Sequence, residues 1–198
     1  HTLWEKKLLL NQDHYFMYGP RDRDILAYIE NNKPGSTSHL RLWEIGYPKF
    51  DQTSSFDKDI NHIRDKLLDE GKINVLYAPA WDPGCSLRVY KKLIFNIFRS
   101  CKKYNFIVKL HPAMLVPKDS PQWEWYTGGY EWEVFVDDQC SSLENVHHFK
   151  GNSINPLYEL CSLMITDFSG VALGFLIKQK PVVCIDMFKH YASYLKSL

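Results

Sequence analysis

The sequence predicts an α/β domain in which helices cover both faces of a parallel sheet. Two observations carry this prediction: strand and helix patterns alternate along most of the chain, and most strand segments are continuous apolar runs. A strand that is apolar on both sides is buried on both faces, which is typical of parallel sheets connected through helices. We expect residues 19–198 to form this Rossmann-like domain, with 1–18 as a linker or the remnant of a preceding domain.

The first part of the chain predicts two short strands with a helix between them. The aromatic run at 14–18, which Gly19 and Pro20 end, predicts a strand. Apolar residues on one face favour a helix over 22–31. The loop-forming stretch NNKPGSTS separates this helix from a second strand at 40–45.

From residue 57 onward the alternation is regular. The predicted elements in chain order are a helix at 57–70, a strand at 73–78, a helix at 87–104, strands at 106–110 and 146–149, a helix at 155–160, a strand at 163–166, a helix at 169–177 and a strand at 181–185. Residues 113–142 break this rhythm and are rich in aromatic and acidic residues. We interpret them as a folded insert with its own aromatic packing.

Composition excludes several classes of protein. A chain of 198 residues with 45% apolar residues can bury a core and is not disordered. A net charge of +1 argues against a nucleic-acid binder that works by neutralising phosphates. No apolar run approaches the ~20 residues of a membrane-spanning helix. Because the chain starts at His1 rather than at a methionine, we expect it to be part of a larger protein.

Motifs of several common catalytic and metal sites are missing from the sequence. It contains no GxxxxGK(S/T), no GxGxxG and no GxSxG, which removes the main support for ATPases, nicotinamide-dependent dehydrogenases and α/β-hydrolases. The five cysteines include no CxxC pair, and His147 and His148 would point to opposite faces of a strand. We therefore expect no metal and no cofactor, and reduced thiols in a cytoplasmic protein.

The residues that follow the strands are the candidates for a functional site, because open parallel sheets bind ligands beyond the carboxyl ends of their strands. These segments are GYPKFD at 46–51, APAWDPG at 78–84, KLHP at 109–112, GNSIN at 151–155 and TDFSG at 166–170. They define the edge of the sheet at which chemistry is expected.

The segment TDFSG leads from a buried strand directly into a predicted helix. The N-terminus of that helix would favour a phosphate, to which Ser169 would add a hydroxyl and Gly170 close backbone approach. The alternative is that Asp167 or Ser169 only caps the helix. His111, at the end of another strand, could bind a phosphate or act as acid or base, or it could be a structural histidine.

Together these strand-end segments resemble the CDP-glycerol glycerophosphotransferase family, the teichoic-acid primases and polymerases with a GT-B fold. The matching pieces, in order, are GPR at 19–21, GYPKFD at 46–51, LYAPAW at 76–81, KLHP at 109–112 and LYELCSLMITDFS at 157–169. The chain departs from the family pattern at four positions: Lys49 replaces an arginine, Asp82 a basic residue, Asn155 an acid and Gly170 a serine.

The resemblance implies that this chain is chiefly the C-terminal, nucleotide-binding half of a two-domain enzyme. By analogy, His111 would contact the reacting phosphate, and His1 would be the remnant of a histidine that the family uses as a base. The donor-binding candidates at the strand ends are Lys49, Trp81, Ser153, Thr166, Asp167, Ser169 and Gly170.

The activity that the resemblance implies is transfer of glycerophosphate from a CDP-glycerol-like donor to a hydroxyl acceptor, with release of CMP. The expected partners are that donor, a polymer or lipid-linked acceptor of cell-wall or capsule synthesis, and a missing N-terminal domain, with no nucleic acid. We expect a cytoplasmic protein with peripheral association at the inner face of the plasma membrane, and a fragment that is inactive alone. Two alternatives remain: a GT-B glycosyltransferase or nucleotide-sugar epimerase, and a non-catalytic nucleotide-binding domain.

Overall fold

The computed structural model describes residues 12–46, 48, 61, 63, 71–167 and 169–189. The chain divides into two compact units, His1–Ser54 and Ser55–Leu198. The predicted helix at 57–70 lies outside the described residues except at two positions, and the candidate site residues His1 and Lys49 lie outside them as well. No helix in the described ranges combines the length and the apolar character that a membrane span requires.

In the described part of the first unit, two parallel strands, β1 (His14–Met17) and β2 (Arg41–Glu44), are joined by helix α1 (Pro20–Asn32). The helix begins where the Asp22 carboxylate accepts hydrogen bonds from two preceding backbone N–H groups. The buried core of this unit consists of Met17, Leu26 and Ile29. These three elements thus belong to one compact unit.

Within the described residues, the second unit forms a five-stranded parallel sheet. Its strands are β3 (Ile73–Ala78), β4 (Tyr104–Val108), β5 (Val146–His148), β6 (Leu163–Thr166) and β7 (Val182–Cys184). Their spatial order is β5-β4-β3-β6-β7, so the chain builds outward from β3 to β5 and then crosses to the other side of β3. This reversal between β3 and β6 is the switch point at which doubly wound sheets bind ligands.

Short helices connect these strands. In chain order, those described in the second unit are α2 (Ser86–Tyr90), α3 (Lys92–Ser100), α4 (Trp123–Thr127), α5 (Trp132–Ser141), α6 (Asn155–Leu160) and α7 (Val171–Ile177), with a 3-10 turn at Pro112–Leu115. The predicted bounds of β3, β6 and α6 are confirmed.

The single helix predicted at 87–104 is wrong, because the structure has two helices there. Lys91 lies between them with a φ of 42°, a conformation that interrupts the helical ladder. Both helices bury apolar residues in the same core, Leu87 on α2 and Phe95 on α3. The apolar periodicity therefore continues across the break and does not reveal it.

One face of the sheet carries the largest aromatic core. Tyr77 of β3 and Phe106 of β4 pack there against Phe98 of α3, whose ring stacks on Phe106 with centroids 4.1 Å apart. Trp132 and Phe135 of α5 belong to this same cluster. The segment interpreted as an insert with its own packing therefore contributes directly to the main core.

Residues on the other face of the same strands are equally buried. They are Leu76, Ile107 and Met164. Tyr158 of α6 and Phe175 of α7 are buried and meet edge to face, with ring centroids 5.8 Å apart. A Cβ at Gly174 would lie 2.8 Å from the Tyr158 ring, so only glycine permits this approach. The sheet is thus flanked by helices, as the sequence predicts.

Candidate functional site

The carboxyl ends of β3, β4 and β6 meet at the switch point of the sheet. The register places Ala78 of β3 beside Thr166 of β6, the last residue of each strand. The Thr166 hydroxyl, which is fully buried, donates to the Ala78 carbonyl at 2.5 Å. This bond fixes the two strand ends against each other, so that the segments leaving them start from a rigid edge.

Asp167 follows Thr166 and is 3% exposed. Its Oδ2 accepts the N–H of Ala80 at 2.8 Å, and its Oδ1 accepts the N–H of Ser86 at 3.2 Å. Burial raises the pKa of this carboxyl above its ordinary value, and the hydrogen bonds from Ser86 and Ala80 oppose that rise. Both oxygens are therefore engaged by the loop after β3, and the carboxylate ties that loop to the end of β6.

Two described residues between β6 and α7 are accessible to solvent. Ser169 is half-buried and Gly170 is exposed, and α7 begins only at Val171, two residues later than predicted. Among the described residues no side chain forms a capping hydrogen bond to this helix, and neither Asp167 nor Ser169 caps it. Apart from its chain neighbours, no described residue would lie within 4 Å of a Cβ at Gly170.

His111 lies beyond the end of β4. Its Nδ1 accepts the backbone N–H of Ala113 at 3.1 Å, so the neutral ring carries its proton on Nε2. Burial, with a contribution from the positive charge of Lys109, lowers the pKa of His111. The ring is thus a neutral N–H donor near pH 7, held in one orientation by the turn that follows it.

Trp81, in the loop after β3, packs beside His111. The two ring centroids are 6.3 Å apart with the planes tilted by 36°. Trp81 also meets the Tyr126 ring edge to face, with the ring centroids 5.1 Å apart. The structure therefore brings two of the predicted site residues, Trp81 and His111, into one aromatic cluster at the carboxyl edge of the sheet.

Ser153 belongs to the loop that follows β5 and is exposed. Its Oγ accepts the N–H of Asn155 at 3.2 Å, a turn that leads into α6. The Asn155 Oδ1 is buried and forms no hydrogen bond with the described residues. Ser153 is thus held at the same edge of the sheet but in a loop separate from the His111 cluster.

Two residues at this edge are not among the candidates predicted from sequence. Ser86 binds Asp167 through its backbone and meets the Tyr77 hydroxyl through its Oγ at 2.8 Å. Lys109 is a lysine within a buried strand end, and it is 7% exposed. A charged residue that interrupts an apolar run is a signal that the sequence does contain, whereas nothing local points to Ser86.

Comparisons with known proteins agree with this architecture. The family described as CDP-glycerol:poly(glycerophosphate) glycerophosphotransferase matches residues 36–192. A variant of the wall teichoic acid polymerase TagF superposes with a TM-score of 0.52 at 17% identity, covering 91% of this chain and 42% of that one. The same TagF variant soaked with CDPG for 30 minutes gives a TM-score of 0.51 at 16% identity, over 91% and 40% of the two chains. No curated protein matches the chain in sequence.

A sugar-nucleotide enzyme shares the fold as well. The UDP-GlcNAc 2-epimerase from Neisseria meningitidis, in a structure bound to UDP-GlcNAc, gives a TM-score of 0.51 at 13% identity, covering 91% of this chain and 47% of that one. At these identities the structural likeness shows the fold alone, which is one Rossmann-like half of a GT-B architecture. The chain spans about two fifths of the length of the polymerase structures. Because the family match extends over most of its residues, the chain belongs to the CDP-glycerol:poly(glycerophosphate) glycerophosphotransferase family.

Proposed function

We propose that this chain is the donor-binding part of an enzyme that transfers glycerophosphate from CDP-glycerol to a hydroxyl acceptor. The acceptor oxygen attacks the glycerol-bearing phosphorus, the bond to the CMP phosphate breaks, and CMP leaves. The acceptor proton passes to a base outside the described residues, for which His1 is the candidate. The observation that carries the proposal is His111, a neutral N–H donor fixed at the carboxyl edge of the sheet of a glycerophosphotransferase-family chain.

His111 suits the charge that develops in such a reaction. A donor aimed from Nε2 stabilises negative charge on the phosphate oxygens, and it requires no reorganisation because the Ala113 N–H already fixes the ring. The same proton on Nε2 excludes that atom as the base for the acceptor in the neutral ring. In this proposal His111 binds and stabilises the diphosphate.

The other strand-end residues divide into two groups. Ser169 and Gly170 would offer a hydroxyl and backbone groups to the diphosphate, and Ser153 and Trp81 would contact the donor from the loops after β5 and β3. Lys49, which lies outside the described residues, stays a donor-binding candidate from the sequence alone. Thr166 and Asp167 act through the loop after β3, because their polar atoms are taken up by Ala78, Ala80 and Ser86. We therefore assign them to positioning of that loop.

The acceptor we propose is a polymer or a lipid-linked precursor in cell-wall or capsule synthesis. The enzyme would work in the cytoplasm, with peripheral association at the membrane where such acceptors reside. The second candidate is a GT-B sugar-nucleotide enzyme, which the fold of the UDP-GlcNAc 2-epimerase favours. The two differ in the bond that breaks.

Product analysis on the full-length protein separates them. Release of CMP from CDP-glycerol supports the proposal, whereas release of an intact nucleoside diphosphate from a sugar nucleotide supports the alternative. His111→Ala should lower the rate of CMP release by about 100-fold or more. His39→Ala, which removes an exposed histidine of the first unit, is the matched control and should leave the rate unchanged. A rate within a few fold of the wild-type value for His111→Ala would refute the assigned role.

A further inference from the structure

Lys109 is a buried lysine, and burial lowers the pKa of its side chain because it disfavours the charged form. It is 7% exposed, and its Nζ has a hydrogen bond to the Leu110 carbonyl at 3.4 Å, which is longer than ordinary N–H···O bonds. No carboxylate in the described ranges forms an ion pair with it. An ammonium carries three donors, and burial without partners is unfavourable for a charged group.

Lys180, which lies just before β7, is an example of a lysine with a structural role. Its Nζ donates to the carbonyls of Tyr158, Glu159 and Cys161 at 2.7–2.9 Å, where α6 ends. All three donors are thereby satisfied, and the charge lies at the negative end of a helix. Lys109 has neither three close acceptors nor a position at the end of a helix. Its burial is therefore not explained by the structural role that Lys180 has.

The position of Lys109 directs this charge toward the candidate site. Lys109 follows the last residue of β4 and donates its N–H to Tyr77, which places it alongside the end of β3. Its side chain bends forward to the carbonyl of the next residue, toward the carboxyl edge of the sheet. Two residues further on is His111, whose pKa the charge of Lys109 helps to lower.

We propose that Lys109 is a donor-binding residue whose buried ammonium is neutralised by the diphosphate of the nucleotide donor. This inference rests on the proposed function and adds a residue to that site. Phosphate oxygens supply the acceptors that the ammonium lacks, and their negative charge offsets the unfavourable burial of the lysine. This edge of the sheet thus holds a lysine without an ion-pair partner among the described residues, beside a neutral histidine donor, and the two together fit one anionic diphosphate.

The first test uses the full-length protein. It measures binding of inorganic pyrophosphate and of CDP by calorimetry, and the melting temperature without added ligand. Lys109→Met should weaken both affinities by about tenfold or more, because it removes a desolvated charge partner. Its melting temperature should equal or exceed that of the wild type, because the unpaired charge is gone. Lys109→Arg should retain more affinity than Lys109→Met. Lys103→Met, which removes an exposed lysine at the opposite end of β4, is the matched control and should change neither quantity.

The second test uses the unmodified protein, so it holds even where a variant fails to fold. The pKa of the Lys109 side chain, followed by NMR, should rise when pyrophosphate is added, because an anion favours the charged form. An unchanged pKa, no binding of pyrophosphate by the wild type, equal affinity of Lys109→Met, or a joint fall in stability and affinity would each overturn the inference. A different outcome would refute the proposed function but not the role of Lys109. In that outcome the full-length protein binds pyrophosphate through Lys109 but releases no CMP from CDP-glycerol.

Discussion

Replacing Asp167 by asparagine tests whether this buried carboxylate fixes the loop after β3. The aspartate accepts two backbone N–H groups, those of Ala80 and Ser86, one on each oxygen. Asparagine keeps one acceptor and turns an NH₂ group toward the second N–H, so one buried donor is left without a partner. A hydrogen bond to a charged group contributes ~1.5–3 kcal/mol, and an unsatisfied buried donor costs ~1–3 kcal/mol.

The loss of stability in Asp167→Asn is reduced because burial of the wild-type carboxylate is itself unfavourable. Burial raises its pKa, which means that the folded state disfavours the ionised form that asparagine never adopts. We therefore expect Asp167→Asn to lower the free energy of unfolding by about 2 kcal/mol rather than by the full sum. Asp138→Asn, the same change at an exposed position on α5, should leave the free energy of unfolding unchanged.

The pH dependence of this difference has a definite sign. A carboxyl whose pKa is raised in the folded state contributes stability below its unfolded pKa and loses that contribution as the pH rises through the folded pKa. The deficit of Asp167→Asn relative to the wild type should thus be larger on the acid side of that transition and smaller at neutral pH. Urea unfolding followed by tryptophan fluorescence between pH 4 and 8 measures it. Equal stability of the two proteins, or a deficit that grows with pH, would refute the reasoning.

Three further predictions follow from contacts away from this loop. Lys180→Met should lower the free energy of unfolding by about 2 kcal/mol in urea, because three carbonyl groups at the end of α6 lose their donor. Gly174→Ala should lower it by about 1–3 kcal/mol, because the new methyl group collides with the Tyr158 ring; an unchanged urea midpoint would contradict this close contact. Alkylation at pH 8 should label exposed Cys184 and spare Cys161, whose pKa burial raises to about 12; mass spectrometry that finds equal labelling would contradict that environment.

The strands of the sheet were predictable because a run of apolar residues indicates a buried strand without information from the rest of the chain. The runs 73–78 and 163–166 are mostly apolar, and the structure gives them the predicted bounds. The helix break at Lys91 was not predictable, because one residue with a positive φ interrupts the helix without changing the apolar pattern. The 113–142 segment has aromatic contacts of its own, such as that of Tyr130 with Trp132, but nothing in its local sequence shows that Phe135 also meets Phe95 of α3.

For the candidate site, the sequence predicts which strand ends form it but not the contacts between them. The bond from Ser86 to Asp167 joins residues 81 positions apart, and no spacing rule connects them. Sequence alone assigned Asp167 to a phosphate or to a helix cap, and the structure shows its oxygens engaged by the loop after β3. The tautomer of His111 is likewise set by a contact, the Ala113 N–H, that only the folded turn supplies.

The buried charges of this edge can be sorted by how completely the protein itself satisfies them. Asp167 has a backbone donor on each oxygen, and Lys180, elsewhere in the sheet, has an acceptor for each proton, so removing either leaves several partners unpaired. Lys109 has one long bond, so its removal leaves little behind. A buried charge stabilises the fold only when other groups of the protein form hydrogen bonds or ion pairs with it. A buried charge without them lowers stability, and a ligand of opposite sign that supplies the missing partners accounts for its place beside His111.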